Sequence, residues 1–396
     1  MSQHIKEDQE NCYELQTIES WDEFPEIKPS LLRGIYAHGF EEPSPIQKKA
    51  ILPLFDGKDV IAQAQSGTGK TGCFTIGVLQ KIDTEEKTTQ ALILAPTREL
   101  SIQIKRVFDA IGYMIPNLAT QLLVGGSSID ADRNYLRNYT PHVVVGCPGR
   151  VYDMLQRNIL NVQKLKLVIM DEADEMLSYG FKEQVYDIFQ YFPNSVQIGL
   201  FSATLPHDIQ NITDKFMRTP VKILVKAEQL TLEGIDQYYV ALETDDNKYE
   251  TLKDLYGVLT LSQSIIYCNN VRRVQDLYET MVADSYPVCC IHSSMDREQR
   301  KKNFNEFTSG KMRVLISSDV TSRGIDVQQV STVINFDIPT NVSTYLHRIG
   351  RSGRWGRKGM GINFVTKRDV YHMREIEKFY QTEIKELPAN VVNPTE

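Results

Sequence analysis

The 396-residue sequence has few cysteines and no long apolar run, and each shortage excludes a class of protein. Its six cysteines form no C-x-x-C pair, and the adjacent Cys289 and Cys290 are unsuited to bridge each other, so we expect free thiols in a reducing compartment. No stretch approaches eighteen consecutive apolar residues, so no membrane span is expected. The first twenty residues are acidic and polar, without the apolar core of a secretory signal.

The sequence also has fewer basic than acidic residues. There are 44 lysines and arginines against 51 aspartates and glutamates, a formal net charge of −7. This balance excludes a histone-like protein that binds nucleic acid by net charge alone, but it permits a local basic track. With 41% hydrophobic and 24% charged residues the composition is that of a globular protein, and the length predicts two or three domains.

What the sequence does contain is a rhythm of short apolar runs separated by amphipathic stretches. The runs that predict strands buried on both faces are 91–95, 143–146, 167–170, 198–201, 264–268, 288–291, 313–317 and 332–336. The stretches between them, such as 102–111 and 272–282, have helical periodicity. Alternation of this kind predicts an α/β fold with parallel sheets.

The rhythm weakens between 222 and 236, where a strand pattern gives way to polar and charged residues. We therefore predict a flexible tail at 1–20, a first lobe at 21–225, a short linker at 226–236 and a second lobe at 237–396. Because the rhythm continues after the linker, the two lobes could be distant repeats of one fold. Several runs end directly in polar residues, so the chemistry is expected at the carboxyl ends of the strands.

A phosphate-binding loop follows the short apolar run 59–62 and precedes a helical pattern at 73–80. The loop consists of Ala64, Gln65, Ser66, Gly67, Thr68, Gly69, Lys70 and Thr71. It matches the G-x-x-x-x-G-K-[ST] pattern with Ala64 in place of the first glycine. The backbone amides of such a loop converge on phosphates, Lys70 would reach the β- and γ-phosphates, and Thr71 would bind Mg²⁺. The alternative is a Gly-Thr turn before a helix. Such a turn needs no preceding strand, so the order of strand, loop and helix favours the phosphate-binding loop.

The second half of a nucleotide site follows the predicted strand 167–170. Asp171 could bind Mg²⁺ through water, and Glu172 could orient or deprotonate an attacking water. An Asp-Glu pair is by itself often a solvated strand end. The phosphate loop earlier in the chain favours the catalytic interpretation.

From Asp171 to Asp174 the sequence reads DEAD, and from about Trp21 to Pro388 the chain resembles the DEAD-box ATP-dependent RNA helicases. The motifs that carry the resemblance, in family order, are GFEEPSPIQ (39–47), AQSGTGKT (64–71), PTREL (96–100), GG (125–126), CPGR (147–150), DEAD (171–174), SAT (202–204), IIYCNN (265–270), SSDVTSRGID (317–326) and HRIGRSGR (347–354). The resemblance implies two tandem RecA-like lobes, each a parallel sheet covered by helices. It also implies ATP and Mg²⁺ as cofactors and an ATPase that RNA stimulates.

The resemblance assigns residues around the nucleotide. Gln47 would read adenine and Phe40 would stack on it, although Phe40 could instead be a core residue at a helix start. Gly324 and Asp326 would touch the ribose, and Trp355, where relatives have Phe or Tyr, would cover the other face of adenine.

The catalytic set implied by the resemblance is Lys70, Asp171, Glu172, Asp174, Ser202, Thr204, His347, Arg351 and Arg354. Within it, Asp174 and His347 would be polar partners across the cleft between the lobes. Arg351 and Arg354 are three residues apart, so we expect them on one helical face. They match the arginine fingers of the family, and such a finger accelerates hydrolysis on the order of 10³–10⁵-fold. The alternative is a solvated basic helix face.

The positions that match RNA contacts of the family are Thr97, Arg98, Gly126, Gly149, Arg150, Asn269, Ser318 and Asp319. Contacts from backbone and hydroxyl groups position a strand without reading its sequence, so little sequence preference is expected. Discrimination of RNA from DNA would depend on the 2′-OH. Cys147 and Asn270 replace family threonines and Arg297 replaces a glutamine, so RNA affinity could differ while ATP binding is normal.

The strings 230–240 and 323–331 resemble the branch of the family that acts in translation initiation. This implies a monomeric, cytoplasmic clamp that binds single-stranded RNA and unwinds short RNA duplexes in messenger 5′ leaders. Its implied partners are a scaffold like factor 4G and an RNA-binding cofactor like factor 4B, with no membrane. The alternative is an ATP-gated RNA-binding scaffold of exon-junction type, which has the same catalytic residues. A DNA helicase or a phosphate-transferring P-loop enzyme is disfavoured by the adenine motif and the paired arginines.

Overall fold

The computed structural model describes residues 18–64, 68–178, 181–205, 207–223, 235–258, 263–321, 330–352 and 359–388. Over these residues the chain forms two seven-stranded sheets. Most of the tail predicted at 1–20 and of the linker predicted at 226–236 lies outside them. None of the helices in these ranges is long and apolar enough to cross a membrane.

The first sheet is entirely parallel, with strand order β3-β4-β2-β5-β6-β1-β7. Its strands are β1 (Val60–Gln63), β2 (Ala91–Leu94), β3 (Thr120–Leu123), β4 (Val143–Gly146), β5 (Leu167–Asp171), β6 (Gln197–Ser202) and β7 (Val221–Ile223). The helices of this lobe are α1 (Pro29–Ala37), α2 (Pro45–Phe55), α3 (Lys70–Lys81), α4 (Arg98–Ile111), α5 (Ile129–Asn138), α6 (Pro148–Gln156), α7 (Ala173–Ser178), α8 (Lys182–Phe189) and α9 (His207–Phe216).

The second sheet is also parallel, with strand order β10-β11-β9-β12-β13-β8-β14. Its strands are β8 (Ile235–Ala241), β9 (Ser264–Tyr267), β10 (Val288–Ile291), β11 (Val314–Ser317), β12 (Thr332–Asn335), β13 (Gly359–Val365) and β14 (Lys385–Glu386). The helices of this lobe are α10 (Asn247–Val258), α11 (Val271–Ala283), α12 (Arg297–Thr308), α13 (Val342–Ile349) and α14 (Val370–Tyr380).

The two sheets have the same topology. If β1 to β7 are replaced in sequence by β8 to β14, the strand order of the first sheet becomes that of the second. Each apolar run predicted as a strand is one, with ends that differ by at most one residue, and the predicted fold of two parallel, helix-covered lobes is confirmed. The shared order supports the interpretation that the lobes are repeats.

Alternate side chains of the central strands pack into different layers, which explains why these strands are continuous apolar runs. Along β4, Val143 and Val145 belong to the core on one face of the sheet, and Val144 belongs to the core on the other. Ala203, directly after β6, packs with the apolar core of the second lobe. The two lobes are therefore in contact beside the carboxyl edge of the first sheet.

Candidate functional site

The candidate site lies at the carboxyl ends of β1, β5 and β6, which are neighbours in the first sheet. Ligands of open parallel sheets bind at this edge. The chain leaves β1 into the phosphate loop and leaves β5 at Asp171. The Ala64 amide donates to the Ser202 carbonyl oxygen (3.0 Å), which joins the start of the loop to the end of β6.

The end of the phosphate loop is closely packed. Gly69 precedes α3 with a φ of 97°, in the left-handed region. A Cβ at this position would lie 2.6 Å from Ser44 Oγ and 2.9 Å from Gln47 Nε2, so neither the backbone angle nor the space admits a side chain. Gln65, Ser66 and Gly67, which the sequence assigns to phosphate binding, lie outside the described residues.

Lys70 is a buried ammonium at the first position of α3, with 5% of its surface exposed. Its Nζ lies 3.7 Å from Glu172 Oε1, too far for a hydrogen bond. Among the described residues, no acceptor makes a hydrogen bond to this Nζ. Glu172 balances the charge of this ammonium, but buried N–H donors without acceptors are costly, and a phosphate at the helix N-terminus would supply the missing acceptors. The environment of Lys70 therefore fits the phosphates of a nucleotide.

Asp171 and Thr71 fit a hard divalent cation such as Mg²⁺, because a carboxylate and a hydroxyl supply the oxygen ligands that it prefers. Asp171 is 2% exposed, at the end of β5, and Thr71 is partly exposed in the first turn of α3. Burial, together with the neighbouring Glu172 carboxylate, raises the pKa of Asp171 to about 7. A nearby cation would favour the ionised form of this carboxyl.

We expect Asp171→Asn to stabilise the nucleotide-free protein, and to do so more at pH 8 than at pH 5. The folded protein retains a proton on Asp171 up to a pKa of about 7, whereas the unfolded chain releases it near 3.8. Raising the pH through this window therefore removes stability from the wild type, and the asparagine variant lacks that loss. The advantage in melting temperature should grow by at least about 2 °C across the window and level off above it.

Thermal unfolding between pH 4 and 8 would measure this difference, with Asp246→Asn as the matched control because Asp246 is exposed. The control should shift the melting temperature by the same small amount at every pH. An advantage of Asp171→Asn that does not change with pH would contradict the raised pKa.

A buried polar chain joins the two lobes. Asp174 Oδ2 accepts a hydrogen bond from Thr204 Oγ1 (2.7 Å) and lies 3.2 Å from His347 Nε2. The Asp174 amide donates to Ser202 Oγ (3.3 Å). Asp174 and His347 are 2% and 1% exposed, although His347 belongs to α13 of the second lobe. The structure thus brings together four residues of the catalytic set that the resemblance implies.

Glu172, a member of the catalytic set, lies close to the contact between Asp174 and His347. One potential ligand atom each from Glu172, Asp174 and His347 lie within 4.8 Å of one another. Glu172 has a φ of 52°, an uncommon value for a residue with a side chain, immediately after β5. The sharp change of direction at Glu172 turns the chain from the strand into α7.

The expectation that Arg351 lies on a helical face is wrong, because α13 ends at Ile349. Gly350 is the C-cap residue, and its amide makes the last hydrogen bond of the helix, to the Leu346 carbonyl oxygen (2.9 Å). Arg351 is 4% exposed, and its Nε donates to the His347 carbonyl oxygen (3.1 Å), so it still lies beside the cleft. The other residues assigned from the second lobe to the nucleotide site, Gly324, Asp326, Arg354 and Trp355, lie outside the described residues.

Gln47 is a structural bridge as well as a candidate for reading adenine. Its Oε1 accepts from the Ser44 amide (2.7 Å) in a capping box at the start of α2, and its Nε2 donates to the Gly69 carbonyl oxygen (3.1 Å). Each amide atom retains capacity for one further hydrogen bond. The Ser44-x-x-Gln47 spacing is the capping-box signature, so this second role was detectable in the sequence.

Phe40 is partly buried, and its ring packs beside that of Trp21, with centroids 6.5 Å apart and planes 18° apart. His38 contacts it edge-on, with centroids 4.8 Å apart. A Cβ on Gly72 would lie 2.6 Å from the Phe40 ring, so the ring also lies against α3. The sequence left two alternatives for Phe40, a core residue or a residue that stacks on adenine. Its ring makes core contacts and also lies against the helix that follows the phosphate loop, so its position is compatible with both.

The RNA candidates of the first lobe lie at the carboxyl edge of its sheet. Thr97 caps α4 by accepting from the Leu100 amide (3.3 Å), and Arg98 Nη1 donates to the Gly125 carbonyl oxygen (3.1 Å). Gly126 is exposed with a φ of 78°. Arg150 differs from its neighbours because it is only 9% exposed and forms an ion pair with Asp132. Its guanidinium also donates to Ser127 Oγ and to the Ser127 carbonyl oxygen (both 2.9 Å), so it supports the adjacent loop.

The RNA candidates of the second lobe surround a residue that sequence reasoning missed. Arg348 is fully buried, donates to both carboxylate oxygens of Asp319 (2.5 and 3.0 Å) and donates to Asn269 Oδ1 (2.8 Å). In the sequence it is one of several cations between 348 and 358, and nothing in that run separates it from an exposed basic residue. The structure shows that it orients Asn269 and Asp319, while Ser318 lies beside them and is partly exposed.

A cavity of about 1080 Å³ opens between the RNA face of the first lobe and α12 of the second. The RNA candidates among its lining residues are Arg98, Gly126, Gly149 and Arg150. Beside it, Arg300 Nη2 of α12 donates to Glu99 Oε2 of α4 (3.0 Å). The lobes therefore meet through an ion pair on the RNA side and through Asp174 and His347 on the nucleotide side.

Two of the departures from the family differ in their structural effect. Asn270 caps α11, because its Oδ1 accepts from the Arg273 amide (2.9 Å). Cys147 occupies the N-cap of α6 but makes no capping hydrogen bond, and its Sγ lies 3.4 Å from Ser101 Oγ. Burial raises the pKa of the Cys147 thiol to about 11, so the thiol is protonated at neutral pH.

We expect Cys147→Thr to raise the free energy of unfolding by about 1 kcal/mol, because threonine can cap α6 where cysteine does not. The matched control is Asn270→Thr, which exchanges one capping residue for another and should change stability by no more than a few tenths of a kcal/mol. Urea unfolding would measure both. Equal effects of the two substitutions would show that the cap is not the cause.

Comparison with known proteins identifies the relatives of this arrangement. The sequence matches the DEAD/DEAH box helicase profile at residues 44–212 and the helicase conserved C-terminal domain profile at 247–356. It is 55% identical over 378 residues to the ATP-dependent RNA helicase eIF4A of Neurospora crassa, covering 96% of this chain and 94% of that protein. The protein of that name from Pyricularia oryzae is also 55% identical, with 96% and 95% covered.

The relative arrangement of the lobes can be compared with solved structures of one protein, Dbp5 of S. cerevisiae. With Dbp5 bound to RNA and ADP BeF3 the TM-score is 0.87, at 34% identity over 94% of this chain and 96% of that chain. With a Dbp5 variant bound to Nup159, Gle1, IP6 and ADP it is 0.64, at 33% identity over 92% and 96%. The lobes of the present chain are thus arranged more like those of Dbp5 bound to RNA and ADP BeF3 than like those of the variant bound to Nup159, Gle1, IP6 and ADP.

Proposed function

This chain belongs to the DEAD/DEAH box helicase family and is an ATP-dependent RNA helicase; we propose that it is a two-lobed clamp that serves translation initiation. The observation that carries the clamp is the contact of Asp174 in the first lobe with His347 in the second, 3.2 Å apart and buried. This contact exists only when the lobes are together. ATP hydrolysis would therefore depend on closure.

Nucleotide binding would be the task of the first lobe. Lys70 would bind the β- and γ-phosphates, Thr71 and Asp171 would bind Mg²⁺, and Gln47 would pair with adenine. The bound cation would neutralise charge that develops on the phosphates. The buried Lys70 Nζ and the raised pKa of Asp171 support these assignments, because phosphate oxygens would supply the acceptors that Nζ lacks and a bound cation would favour the ionised form of Asp171.

The chemical step would be an attack of water on the γ-phosphorus. Glu172 would orient that water and accept its proton, because its carboxylate is close to both Lys70 and the Asp174–His347 contact. Arg351 would stabilise the charge on the transferring phosphoryl group from the second lobe, and Arg354 would act with it. Since Arg351 binds the backbone of His347, closure that brings His347 to Asp174 would also deliver this guanidinium.

RNA would bind along both lobes and favour the same closed state. The groups we propose for contact are Thr97, Arg98, Gly126, Gly149, Arg150, Asn269, Ser318 and Asp319. Because each ligand would bind residues of both lobes, ATP and RNA should each raise the affinity for the other by the same factor. Closure on a single strand would bend it and separate a short duplex, with little preference for sequence.

The cellular setting that we propose follows from the similarity to eIF4A proteins. We place the protein in the cytoplasm as a monomer that acts on messenger 5′ leaders. Its partners would be a scaffold like factor 4G and an RNA-binding cofactor like factor 4B. The identity of 55% with eIF4A proteins over 96% of the chain supports this assignment.

Steady-state ATP hydrolysis with and without single-stranded RNA tests the proposal. The matched control is DNA of the same sequence, which lacks the 2′-OH groups. Stimulation by RNA and not by DNA is the expected result. ATP-dependent RNA binding without stimulated hydrolysis would instead support the exon-junction type of scaffold.

A further inference from the structure

The core of the second lobe contains polar side chains that the site described above does not use. Asn335, Tyr345 and Asn363 are each 0% exposed, as is Arg348. Burying a polar group costs free energy unless it is hydrogen-bonded, and an apolar side chain avoids that cost. A set of fully buried polar side chains in one core therefore requires an explanation.

These side chains form one continuous chain of hydrogen bonds. The Tyr345 hydroxyl donates to Gln237 Oε1 (2.8 Å) and accepts from Asn363 Nδ2 (3.3 Å). Asn335 Nδ2 donates to Asn363 Oδ1 (2.8 Å). Arg348 Nη1 then donates to Asn335 Oδ1 (3.3 Å). The chain thus runs from Gln237 on β8, through β13 and β12, to Arg348.

Both ends of this chain are anchored. Gln237 Nε2 donates to Thr382 Oγ1 (3.3 Å), and Arg348 donates to the Asp319 carboxylate at the RNA face. Burial raises the pKa of the Tyr345 hydroxyl, so this group remains a protonated donor. The polar chain is therefore held by hydrogen bonds at both ends, with the Tyr345 hydroxyl as a donor in its middle.

Two members of the chain, Tyr345 and Arg348, belong to α13, and their spacing of three residues places them on the same helical face. Both point into the sheet, so their hydrogen bonds define the rotation of α13 about its own axis. His347 lies between them in sequence and contacts Asp174 of the other lobe. A rotation of α13 would move His347 out of reach of Asp174, and with it the backbone oxygen that binds Arg351.

We propose that Tyr345 is a positioning residue, whose hydroxyl fixes the orientation of α13 so that His347 meets Asp174 when the lobes close. This inference rests on the proposed function, because the contact matters only in a clamp that closes on ATP and RNA. Apolar packing of the Tyr345 ring does not require the hydroxyl. The hydroxyl adds a constraint on the orientation of α13, because hydrogen bonds depend on angle and apolar contacts do not.

Tyr345→Phe removes only the hydroxyl and tests the proposal. The measured quantity is coupling, the factor by which a non-hydrolysable ATP analogue tightens the binding of fluorescent single-stranded RNA. We expect coupling to fall at least about fivefold, with KM for RNA raised in the ATPase reaction. Binding of the analogue without RNA should be unchanged, because the proposed phosphate site is in the first lobe.

The matched control is Tyr256→Phe. This tyrosine also lies in the second lobe, and its hydroxyl forms a 2.7 Å hydrogen bond with Ser264 Oγ, but it belongs to α10 and not to the polar chain. Both variants should lose a similar few degrees of melting temperature. Only Tyr345→Phe should lose coupling, and a loss of equal size in both would assign the effect to general destabilisation and overturn the proposal.

A double-mutant cycle tests whether Tyr345 acts through His347. In a His347→Ala background, adding Tyr345→Phe should cause no further loss of coupling. An additional loss as large as in the wild type would overturn the proposal. Failure of the proposed function is distinguishable, because the wild-type protein itself would then show no coupling.

Discussion

Glu172→Gln is expected to lower the rate of RNA-stimulated ATP hydrolysis at least about 100-fold while ATP-dependent RNA binding remains. Glutamine has the same shape as glutamate but cannot accept the proton of the attacking water, and general base catalysis contributes on the order of 10²–10⁴-fold. The substitution leaves Lys70, Asp174 and His347 in place, so the lobes can still close. Phosphate release and RNA anisotropy, measured on one preparation, would separate the two effects.

The matched control is Glu183→Gln, which removes a carboxylate from an exposed position on α8. It should hydrolyse ATP as the wild type does. If Glu172→Gln lost ATP-dependent RNA binding along with turnover, Glu172 would be needed for closure and not specifically for the attack of water.

Gly69→Ala should weaken nucleotide binding at least about tenfold, because a displaced loop loses amide hydrogen bonds to phosphate, and each hydrogen bond to a charged group contributes about 1.5–3 kcal/mol. The added methyl group would lie 2.6 Å from Ser44 Oγ and 2.9 Å from Gln47 Nε2, in a backbone conformation that alanine rarely adopts. Relief of the clash would move the capping box of α2 away from the phosphate loop. Titration with a fluorescent ATP analogue measures the loss.

Gly257→Ala is the matched control, because a Cβ at that position in α10 meets no atom within 4 Å. It should bind nucleotide normally and gain about 0.5–1 kcal/mol of stability from the higher helix propensity of alanine. Normal nucleotide binding by Gly69→Ala would show that the loop adapts to the side chain and would contradict the close packing described here.

The fold was predictable because its strands are buried on both faces. A run such as VVVG at 143–146 has one structural solution in a chain of alternating strands and helices, and it forms β4. The candidate site followed from the same property, since Asp171 and Ser202 end neighbouring strands. Periodicity and strand ends are local features, and they were sufficient to bring these residues together.

Other features depend on contacts that no local pattern contains. The basic stretch after His347 suggested a helical face at Arg351, but α13 stops at Ile349, where Gly350 caps it. Arg348 looks like an exposed basic residue in sequence, yet it is buried by partners from β12 and from the segments after β9 and β11. Whether an arginine lies inside or outside is decided by partners distant in sequence, so charge spacing alone could not separate Arg348 from Arg351.

The identical strand order of the two sheets has a stoichiometric consequence. The segment between β8 and α10 is the topological counterpart of the phosphate loop between β1 and α3. It reads LETDD at 242–246, with no glycine and three carboxylates, and Asp245 is already engaged with Lys248 and Arg273. Such a segment repels phosphate, so we expect a molecule with two lobes of one architecture to bind one ATP per chain, and its second lobe to sense the nucleotide bound by the first.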